Sequence, residues 1–177
     1  MNIETLLSKI NRQVLYFLCQ FPYDSFYSAQ IAKKTSLSKG GVSQSLRFLT
    51  KEKLIIVQRK GRMAFYQINI SSPIIQSFKL FYNLLMLRPF IEAIKPYSSK
   101  IVLFGSCADG TDSNQSDIDM LVISNKKSEV STCLSSFKTV RKIQVILKSP
   151  EEYISLEKKE PVFYNEIQKG RVLWDKI

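Results

Sequence analysis

The segment Phe104–Asp119 constrains the fold of this chain more than any other feature. It reads FGSCADGTDSNQSDID, in which ten residues separate a Gly-Ser pair from an Asp-x-Asp pair. One apolar run, residues 101–104, leads into the Gly-Ser pair, and a second run, residues 120–123, follows the acids. This layout predicts a strand, a tight turn into a short helix, and a second strand that presents two carboxylates.

The residues of this segment are of the types that bind a nucleoside triphosphate with magnesium. Side chains two apart in a strand point to the same side, so Asp117 and Asp119 can share divalent metal ions. Gly105 allows the backbone to approach a phosphate, and Ser106 lies where a helix N-terminus offers free N–H groups. We therefore predict nucleotide binding by Gly105 and Ser106, and Mg²⁺ binding by Asp117 and Asp119.

The positive charge of the chain is concentrated in its first half. Residues 1–97 contain 14 Lys and Arg against 4 Asp and Glu, whereas residues 98–177 contain 12 against 11. The net charge is therefore +10 in the first part and +1 in the second. Such asymmetry indicates a nucleic-acid-binding half joined to a half with a different role.

Rare and absent residue types exclude several kinds of site. The chain has no histidine, which excludes histidine-based acid–base catalysis. Cys19, Cys107 and Cys133 are widely spaced and form no Cys-x-x-Cys pair, so we expect no disulfide framework, no zinc and no haem. Because no apolar run reaches the roughly 18 residues that span a bilayer, and no signal-peptide pattern begins the chain, we expect a cytoplasmic protein.

Residues 5–70 contain three helical patterns followed by a basic hairpin. The third helix is predicted for residues 39–52, and two strands, Leu54–Val57 and Ala64–Ile68, flank a basic tip that contains a glycine. This arrangement resembles the winged helix-turn-helix domain. In that family the third helix lies in the DNA major groove and the wing reaches along the backbone.

The resemblance implies which side chains contact double-stranded DNA. Gln44 and Arg47 can bind base edges bidentately. Phosphate contacts are expected from Ser38, Lys39 and Ser43 on the helix and from Arg59, Lys60 and Arg62 at the wing. The positions expected to be exposed on the third helix are Ser38, Lys39, Gly40, Ser43, Gln44, Ser45 and Arg47. A winged helix used only for protein contacts is the alternative, and RNA binding is a third, weaker one.

An apolar stretch, residues 73–97, connects the two halves. Pro89 is expected to divide it into a helix of about 13 residues and a shorter helix that begins at the proline. The apolar surface is too wide for the single buried face of a surface helix. The stretch is therefore either core alone or core together with the interface of a homodimer, and both alternatives stay open.

Residues 98–177 resemble the minimal nucleotidyltransferase domains of the DNA polymerase β-type superfamily. The resemblance rests on Gly105, Ser106, Gly110, Asp117 and Asp119 at the spacing of that family. It implies that the Gly-Ser turn holds the triphosphate and that the paired acids hold Mg²⁺. A third carboxylate on the neighbouring strand then helps to activate the attacking hydroxyl, and two metal ions stabilise the attacking and leaving oxygens.

The chain departs from this family pattern at the third acid. The strand predicted at residues 141–148 has Gln144 at the matching position, so the catalytic positions are Asp117, Asp119 and an amide. An amide cannot take up a proton and is a poorer magnesium ligand than a carboxylate. Asp109 stands where the family often has a basic residue and would repel a triphosphate. Asp109 and Asp112 are the alternative sources of an acid.

The expected fold class is α+β with two domains. A winged helix-turn-helix domain at 1–72 and apolar linker or dimerisation helices at 73–97 precede a small mixed-sheet nucleotidyltransferase-like domain at 98–177. The expected function is a DNA-binding transcriptional regulator whose second domain has an incomplete active site and binds a nucleoside triphosphate with Mg²⁺. The alternative is an active nucleotidyltransferase that also binds DNA. It would resemble antitoxins that transfer a nucleoside monophosphate to a separately encoded protein, or to a small molecule, and such fusions resemble proteins common in archaea.

Overall fold

The computed structural model describes residues 2–176 and separates the chain into two compact units. The first unit ends at Lys79 and the second begins at Leu80. Each unit has a hydrophobic core of its own. Within residues 2–176, no helix is both long enough and apolar enough to cross a membrane.

The first unit combines helices with a small antiparallel sheet. Its elements in chain order are α1 (Ile3–Leu6), α2 (Lys9–Gln20), β1 (Phe26–Tyr27), α3 (Ser28–Thr35), α4 (Lys39–Lys51), β2 (Ile55–Lys60) and β3 (Met63–Ile68). Strand β3 lies between β1 and β2 and pairs antiparallel with both. Helices α2, α3 and α4 followed by the β2–β3 hairpin form a winged helix-turn-helix, in which β1, between α2 and α3, pairs with β3. The predicted fold of this half is confirmed.

Two serines define the turn between α3 and α4. Ser36 ends α3 in the left-handed conformation, with φ of 56°. Ser38 then caps α4, because its Oγ accepts a hydrogen bond from the Gly41 N–H at 3.1 Å. A serine cap satisfies one of the free N–H groups at the start of a helix, which explains why α4 begins at Lys39.

The apolar stretch between the halves is one helix, α5 (Pro73–Ile94), and the boundary between the units falls within it. The prediction that Pro89 divides this stretch into two helices was therefore wrong. A proline inside a helix costs about 3 kcal/mol, because it removes a hydrogen bond and crowds the preceding turn. Here the proline is exposed, while Leu87, Phe90 and Ile94 around it are fully buried. Burial of these side chains outweighs the cost and keeps the last turns helical.

The second unit is built on a four-stranded mixed sheet. After the end of α5 and a short 3-10 helix (Lys95–Tyr97), its elements are β4 (Lys100–Phe104), α6 (Ser106–Asp109), β5 (Ile118–Ile123), α7 (Lys127–Ser136), β6 (Ile143–Lys148), α8 (Pro150–Lys159), α9 (Pro161–Gln168) and β7 (Arg171–Asp175). The strand order is β6-β5-β4-β7. Only the β5–β6 pair is parallel among these pairings. The predicted α+β class and the mixed sheet are confirmed.

The two faces of this sheet bury different sets of side chains. One face packs against the end of α5 and against α7 through Ile101, Leu103, Met120 and Val122. The other face packs against α8 and α9 through Val102, Phe104, Leu121 and Ile123. Because side chains alternate along a strand, every second residue of β4 and β5 belongs to the same face. This alternation decides which neighbours surround the acids of β5.

The turn between α9 and β7 provides a test of this packing. A Cβ at Gly170 would lie 2.6 Å from the Leu103 carbonyl oxygen and 2.8 Å from Val102 Cγ1. Gly170→Ala should therefore destabilise the protein by about 1–3 kcal/mol, the usual cost of overpacking. Denaturant-induced unfolding measures the change.

The control for this substitution is Gly40→Ala in α4, where a Cβ meets nothing within 4 Å. Removing a glycine from a helix should stabilise it by roughly 0.5–1 kcal/mol. Wild-type stability of the Gly170→Ala variant would contradict the packing described for β4 and α9.

Candidate functional site

The two predicted metal ligands lie at the start of strand β5. Asp119 is the second residue of β5, and Asp117 immediately precedes the strand. In the sheet, Asp119 is opposite Phe104 of β4 on one side and opposite Gln144 of β6 on the other. By strand alternation Asp119 shares a face with Leu121, so it lies at the end of the apolar surface that α8 and α9 cover.

Gly105 brings the Gly-Ser turn directly against Asp119. Its backbone has φ of 66° and ψ of −159°, a conformation that other residues rarely adopt. A Cβ at this position would lie 3.2 Å from Asp119 Oδ2. The backbone conformation therefore favours glycine, and any side chain here would also have to displace the Asp119 carboxylate slightly. The structure brings the predicted phosphate-binding turn and one predicted metal ligand together.

Ser106 begins the four-residue helix α6, which ends at Asp109. Gly110 ends this helix in the left-handed conformation, with φ of 68°. The Thr111 N–H then donates to the Ser106 carbonyl at 3.0 Å, which closes the turn. Ser106 is half-buried and Asp109 is exposed. Ser106 therefore lies at the Gly-Ser turn, at the start of α6. Asp109 lies at the other end of this helix, where its negative charge is exposed to solvent.

The charge around Asp119 is predominantly negative. The pKa of Asp119 is raised above its ordinary value of 3.8, first by burial and then by the charges of Asp117 and Glu166. Lys142 acts in the opposite direction. Its Nζ lies 3.6 Å from Asp117 Oδ2, but both side chains are exposed, so this ion pair is weak. A carboxylate pair with insufficient compensating positive charge is an arrangement that a divalent cation would stabilise.

An exposed amide occupies the position at which the family resemblance implies a third acid. Gln144 is the neighbour of Asp119 in the parallel pair of β5 and β6, and its side chain is exposed. Among residues 2–176, no three Asp, Glu, Cys or His side chains come together in a way that could hold a metal ion.

Asp112, one of the two alternative acids, is engaged inside the unit. It is 4% exposed, and its Oδ2 lies 2.8 Å from Arg141 Nη1. Its Oδ1 accepts a hydrogen bond from Asn83 Nδ2 at 3.1 Å. A buried carboxylate held by a guanidinium and an amide serves the packing of the loop. The hypothesis that Asp112 replaces the third acid is not compatible with these contacts.

The predicted DNA-contacting residues of α4 lie on its solvent side, with one exception. Lys39, Gln44 and Arg47 are exposed, and Ser43 is half-buried. Ser38 is exposed at the N-cap, where its hydroxyl accepts the bond from Gly41 described above. The expectation that Ser45 is exposed was wrong, since only 3% of it is accessible. It lies one position before Leu46, within the buried stripe of the helix.

The wing is an exposed basic hairpin. Arg59 and Lys60 end β2, Gly61 turns the chain with φ of 60°, and Arg62 precedes β3. All four residues are exposed. Lys60 Nζ lies 5.6 Å from the centre of the Phe65 ring, a cation–π distance. The structure thus brings the basic wing residues together, as the sequence predicts.

The comparisons with known proteins identify the second unit. Residues 92–176 match the family model described as "Polymerase beta, Nucleotidyltransferase". The match contains the Gly-Ser turn, both acids and the strand with Gln144. These residues form a nucleotidyltransferase domain of that family, whereas the match leaves the first unit outside. No curated protein matches the chain at a significant level.

Two bacterial proteins are among the solved structures that resemble part of the chain. HlyU from Vibrio cholerae is 18% identical with a TM-score of 0.38, and covers 46% of this chain and 82% of its own. The adhesin competence repressor AdcR from Streptococcus pyogenes is 13% identical with a TM-score of 0.39. It covers 54% of this chain and 74% of its own. The winged helix-turn-helix fold of the first unit follows from the order of its own elements.

Two residues near the acids escaped the sequence analysis. Glu166 lies on α9, 47 positions after Asp119, and its influence arises only because α9 packs on the same sheet face. Arg141 lies just before β6, and its contacts with Asp112 and with the backbone near Asp117 depend on the parallel pairing of β5 and β6. A hint in the sequence was the Arg-Lys pair that leads into an apolar strand next to the acids.

The raised pKa of Asp119 predicts how this site affects stability. The folded protein holds the Asp119 proton more tightly than the unfolded chain does. The Asp119 carboxyl group therefore contributes to folding stability at low pH. This contribution is lost as the pH rises from the ordinary pKa of an aspartate towards the raised pKa of Asp119 in the folded protein. We expect Asp119→Asn to have a higher Tm than the wild type at pH 7, with the difference shrinking as the pH approaches 4, about the ordinary carboxyl range. Thermal unfolding at several pH values measures this.

The control is Asp175→Asn in β7, whose carboxylate forms an ion pair with Lys100 at 2.9 Å. Loss of this pair should lower stability by up to about 1 kcal/mol, the opposite sign. A lower Tm for Asp119→Asn than for the wild type at pH 7 would contradict the electrostatic description of the site.

Proposed function

We propose that this protein is a DNA-binding transcriptional regulator that carries a nucleotidyltransferase-like domain with an incomplete active site. The observation that carries this proposal is the pairing of Gln144 with Asp119 in neighbouring parallel strands. The position beside the paired acids holds an amide, which cannot accept a proton from an attacking hydroxyl. General-base assistance contributes about 10²–10⁴ in rate, so this substitution favours a binding role over an efficient enzyme.

The first unit supports DNA binding by its fold and its exposed charge. Gln44 and Arg47 extend from α4 towards solvent and are suited to base edges in the major groove. Lys39, at the start of the same helix, and the exposed wing residues Arg59 and Arg62 are suited to phosphates. At the N-cap, Ser38 Oγ accepts a hydrogen bond from the Gly41 N–H, and its own O–H is suited to donate to a phosphate next to Lys39. Together these side chains form a basic surface on the helix and wing that read DNA in this fold.

Nucleotide and Mg²⁺ binding by the second unit is part of the proposal. Mg²⁺ is commonly held by one or two carboxylates together with substrate phosphates, so Asp117 and Asp119 are sufficient protein ligands for a magnesium–triphosphate complex. The glycine at 105 leaves room beside Asp119, which a side chain would fill. Bound Mg²⁺ would supply positive charge to the phosphate oxygens. Gly105 and Ser106 would contact the phosphates, and the acids would hold the metal.

A homodimer fits the exposed apolar side chains of α5. Phe81, Leu85 and Met86 in the second unit are 56%, 48% and 57% exposed, which is high for large apolar residues. They lie on one helix at spacings of four and five residues. Association of two copies through such a surface would bury them, and dimers place two recognition helices in successive turns of the DNA groove.

The second candidate function is an active nucleotidyltransferase that also binds DNA. It is favoured by the close approach of the Gly105 backbone to the Asp119 carboxylate, since this part of the family site is intact. The reaction would transfer a nucleoside monophosphate to a separately encoded protein or to a small molecule, with release of pyrophosphate. Asp117 and Asp119 would hold the metal ions, and the proton of the acceptor hydroxyl would have to leave to solvent.

Duplex DNA binding should depend on salt through the wing. Each phosphate contact contributes about 0.9 to the slope of log affinity against log salt. We expect Arg59→Ser combined with Arg62→Ser to weaken binding to random-sequence duplex DNA and to reduce the slope by roughly 2. Fluorescence anisotropy over a range of salt concentrations measures both.

The matched control removes the same charge from the second unit, by Lys158→Ser with Lys159→Ser in α8, where both lysines are exposed. This variant should keep the wild-type slope. A wild-type protein that does not bind duplex DNA, or a slope that the wing variant leaves unchanged, would refute the DNA-binding part of the proposal.

Nucleotide binding and nucleotidyl transfer can be separated by two measurements. Calorimetry with ATP and Mg²⁺ should detect binding by the wild type that Asp117→Ala abolishes. Asp109→Ala should strengthen binding, because it removes an exposed negative charge at the end of α6. Absence of binding to the wild type would refute the nucleotide part of the proposal.

Transfer is tested with labelled ATP, CTP, GTP and UTP, Mg²⁺ or Mn²⁺, and a lysate of the source organism. The proposal expects no labelling by the wild type. Labelling that Asp117→Ala removes would establish the second candidate function. Gln144→Asp tests whether the amide is the missing element, because a carboxylate there restores a possible base beside Asp119.

A further inference from the structure

We infer that Arg141 is a positioning residue that holds the Asp-x-Asp pair against the Gly-Ser turn. Its guanidinium contacts both ends of the loop that connects these two pairs. The inference rests on the proposed nucleotide site and assigns to it a residue that the sequence motif does not contain. Its basis is a set of hydrogen bonds within the second unit.

The first contacts of Arg141 are with the backbone that leads into the acids. Its Nε donates to the Ser116 carbonyl at 2.9 Å, and its Nη2 donates to the Asp117 carbonyl at 3.4 Å. The next residue of the same segment, Lys142, accepts a hydrogen bond from the Ile118 N–H at 2.9 Å through its carbonyl. The backbone from 116 to 118 is therefore attached to residues 141 and 142 at three successive positions. This attachment sets the direction in which Asp117 leaves the loop.

The second set of contacts reaches the Gly-Ser turn. Arg141 Nη2 donates to Cys107 Sγ at 2.8 Å, and Cys107 directly follows Ser106. The Cys107 thiol in turn donates to the Asp117 carbonyl at 3.4 Å. The side chains of Arg141 and Cys107 thus both donate to the backbone carbonyl of Asp117.

The charge of Arg141 is neutralised inside the unit. Asp112 Oδ2 lies 2.8 Å from Arg141 Nη1, and the side chains of the pair are only 5% and 15% exposed. Asn83 completes the arrangement, because its Nδ2 donates both to Asp112 Oδ1 at 3.1 Å and to the Cys107 carbonyl at 3.2 Å. A guanidinium paired in this way has little net charge to offer to a phosphate. Its effect on the site therefore comes from geometry rather than from direct attraction of the nucleotide.

Only arginine can make these contacts at the same time. The guanidinium has five N–H donors in a planar fork, whereas lysine has three donors on a single nitrogen. Lysine at this position can pair with Asp112 but cannot also reach the carbonyls at 116 and 117. Residues that orient metal ligands from behind typically change metal affinity by about 10–100-fold when they are replaced. Arg141→Lys therefore keeps the ion pair with Asp112 but removes the hydrogen bonds that position the acids.

The experiment compares Arg141→Lys and Arg141→Gln with the wild type in the full chain. The probe is Mn²⁺, alone and with ATP, and calorimetry gives the affinity while thermal unfolding gives the stability. Hydrogen exchange follows the Thr111 and Ile118 amides, whose bonds close the loop and join β5 to residue 142. Arg88→Lys in α5 is the control, since Arg88 is an exposed arginine of the same unit.

For Arg141→Lys we expect a Tm close to that of the wild type, about 10–100-fold weaker Mn²⁺ binding, and faster exchange at both amides. Arg141→Gln should lose stability as well, and Arg88→Lys should match the wild type in every measurement. If Arg141 had only a structural role, Mn²⁺ affinity would fall only in the variants whose Tm also falls. Wild-type Mn²⁺ affinity and wild-type exchange in Arg141→Lys would overturn the inference.

The role of Arg141 can be tested even if the proposed nucleotide binding fails or if Arg141→Lys does not fold. If the wild type binds neither Mn²⁺ nor ATP, the nucleotide proposal fails, and exchange at Thr111 and Ile118 alone decides whether Arg141 holds the loop. If Arg141→Lys does not fold, Asp112→Asn replaces it, because this change keeps the side-chain shape and removes the counter-charge. Faster exchange at the two amides in Asp112→Asn supports the inference, and unchanged exchange refutes it.

Discussion

The ion pair of Arg141 with Asp112 connects three parts of the second unit that are distant in the chain. The arginine precedes β6, the aspartate lies in the loop before β5, and Asn83 of α5 binds the same carboxylate. Breaking a buried pair by removing one partner typically costs about 3–5 kcal/mol, because the remaining charge is left without compensation. Exchange of the whole pair for apolar residues is often neutral. The pair is therefore better understood as a device that specifies loop geometry than as a source of stability.

That geometry has a consequence for the acids. Asp119 lies on the sheet face covered by α8 and α9, at the end of a row of apolar side chains, and burial is the largest cause of its raised pKa. A carboxyl group in this position lowers the stability of the folded protein at neutral pH. Such a cost is common at binding sites, where groups are held in environments that only a ligand satisfies. At the start of β5, a rigid backbone thus holds an Asp119 carboxylate whose charged form is disfavoured by burial. A divalent cation bound there would stabilise that charged form.

The sequence predicts this site well wherever the information is local. The strand, turn and strand around Phe104–Asp119, the glycine at 105 and the parallel neighbour that carries Gln144 all follow from alternation and spacing. The two errors, at Pro89 and Ser45, and the two omissions, Arg141 and Glu166, are of another kind. Pro89 stays inside α5 because the residues around it are buried in tertiary contacts, and Ser45 is buried because the helix turns it towards the core. Arg141 and Glu166 meet the site only through packing between elements that no short-range pattern connects.

The proposed function gives the two units different kinds of binding group, and this difference bears on the meaning of Gln144 at the position of the third acid. In the first unit the relevant groups are exposed long side chains, which need only be present on the right surface to bind phosphates. In the second unit the relevant groups are short carboxylates whose direction depends on the loop behind them. Binding of a metal-bound triphosphate requires two such groups and room for the phosphates, whereas rapid transfer requires a base as well. Under the proposed function, Gln144 in place of a third acid leaves the site without that base but keeps the two carboxylates that metal–triphosphate binding requires. A nucleotide that is bound but not rapidly consumed is suited to act as a signal, because the occupied fraction of the site then depends on the nucleotide concentration.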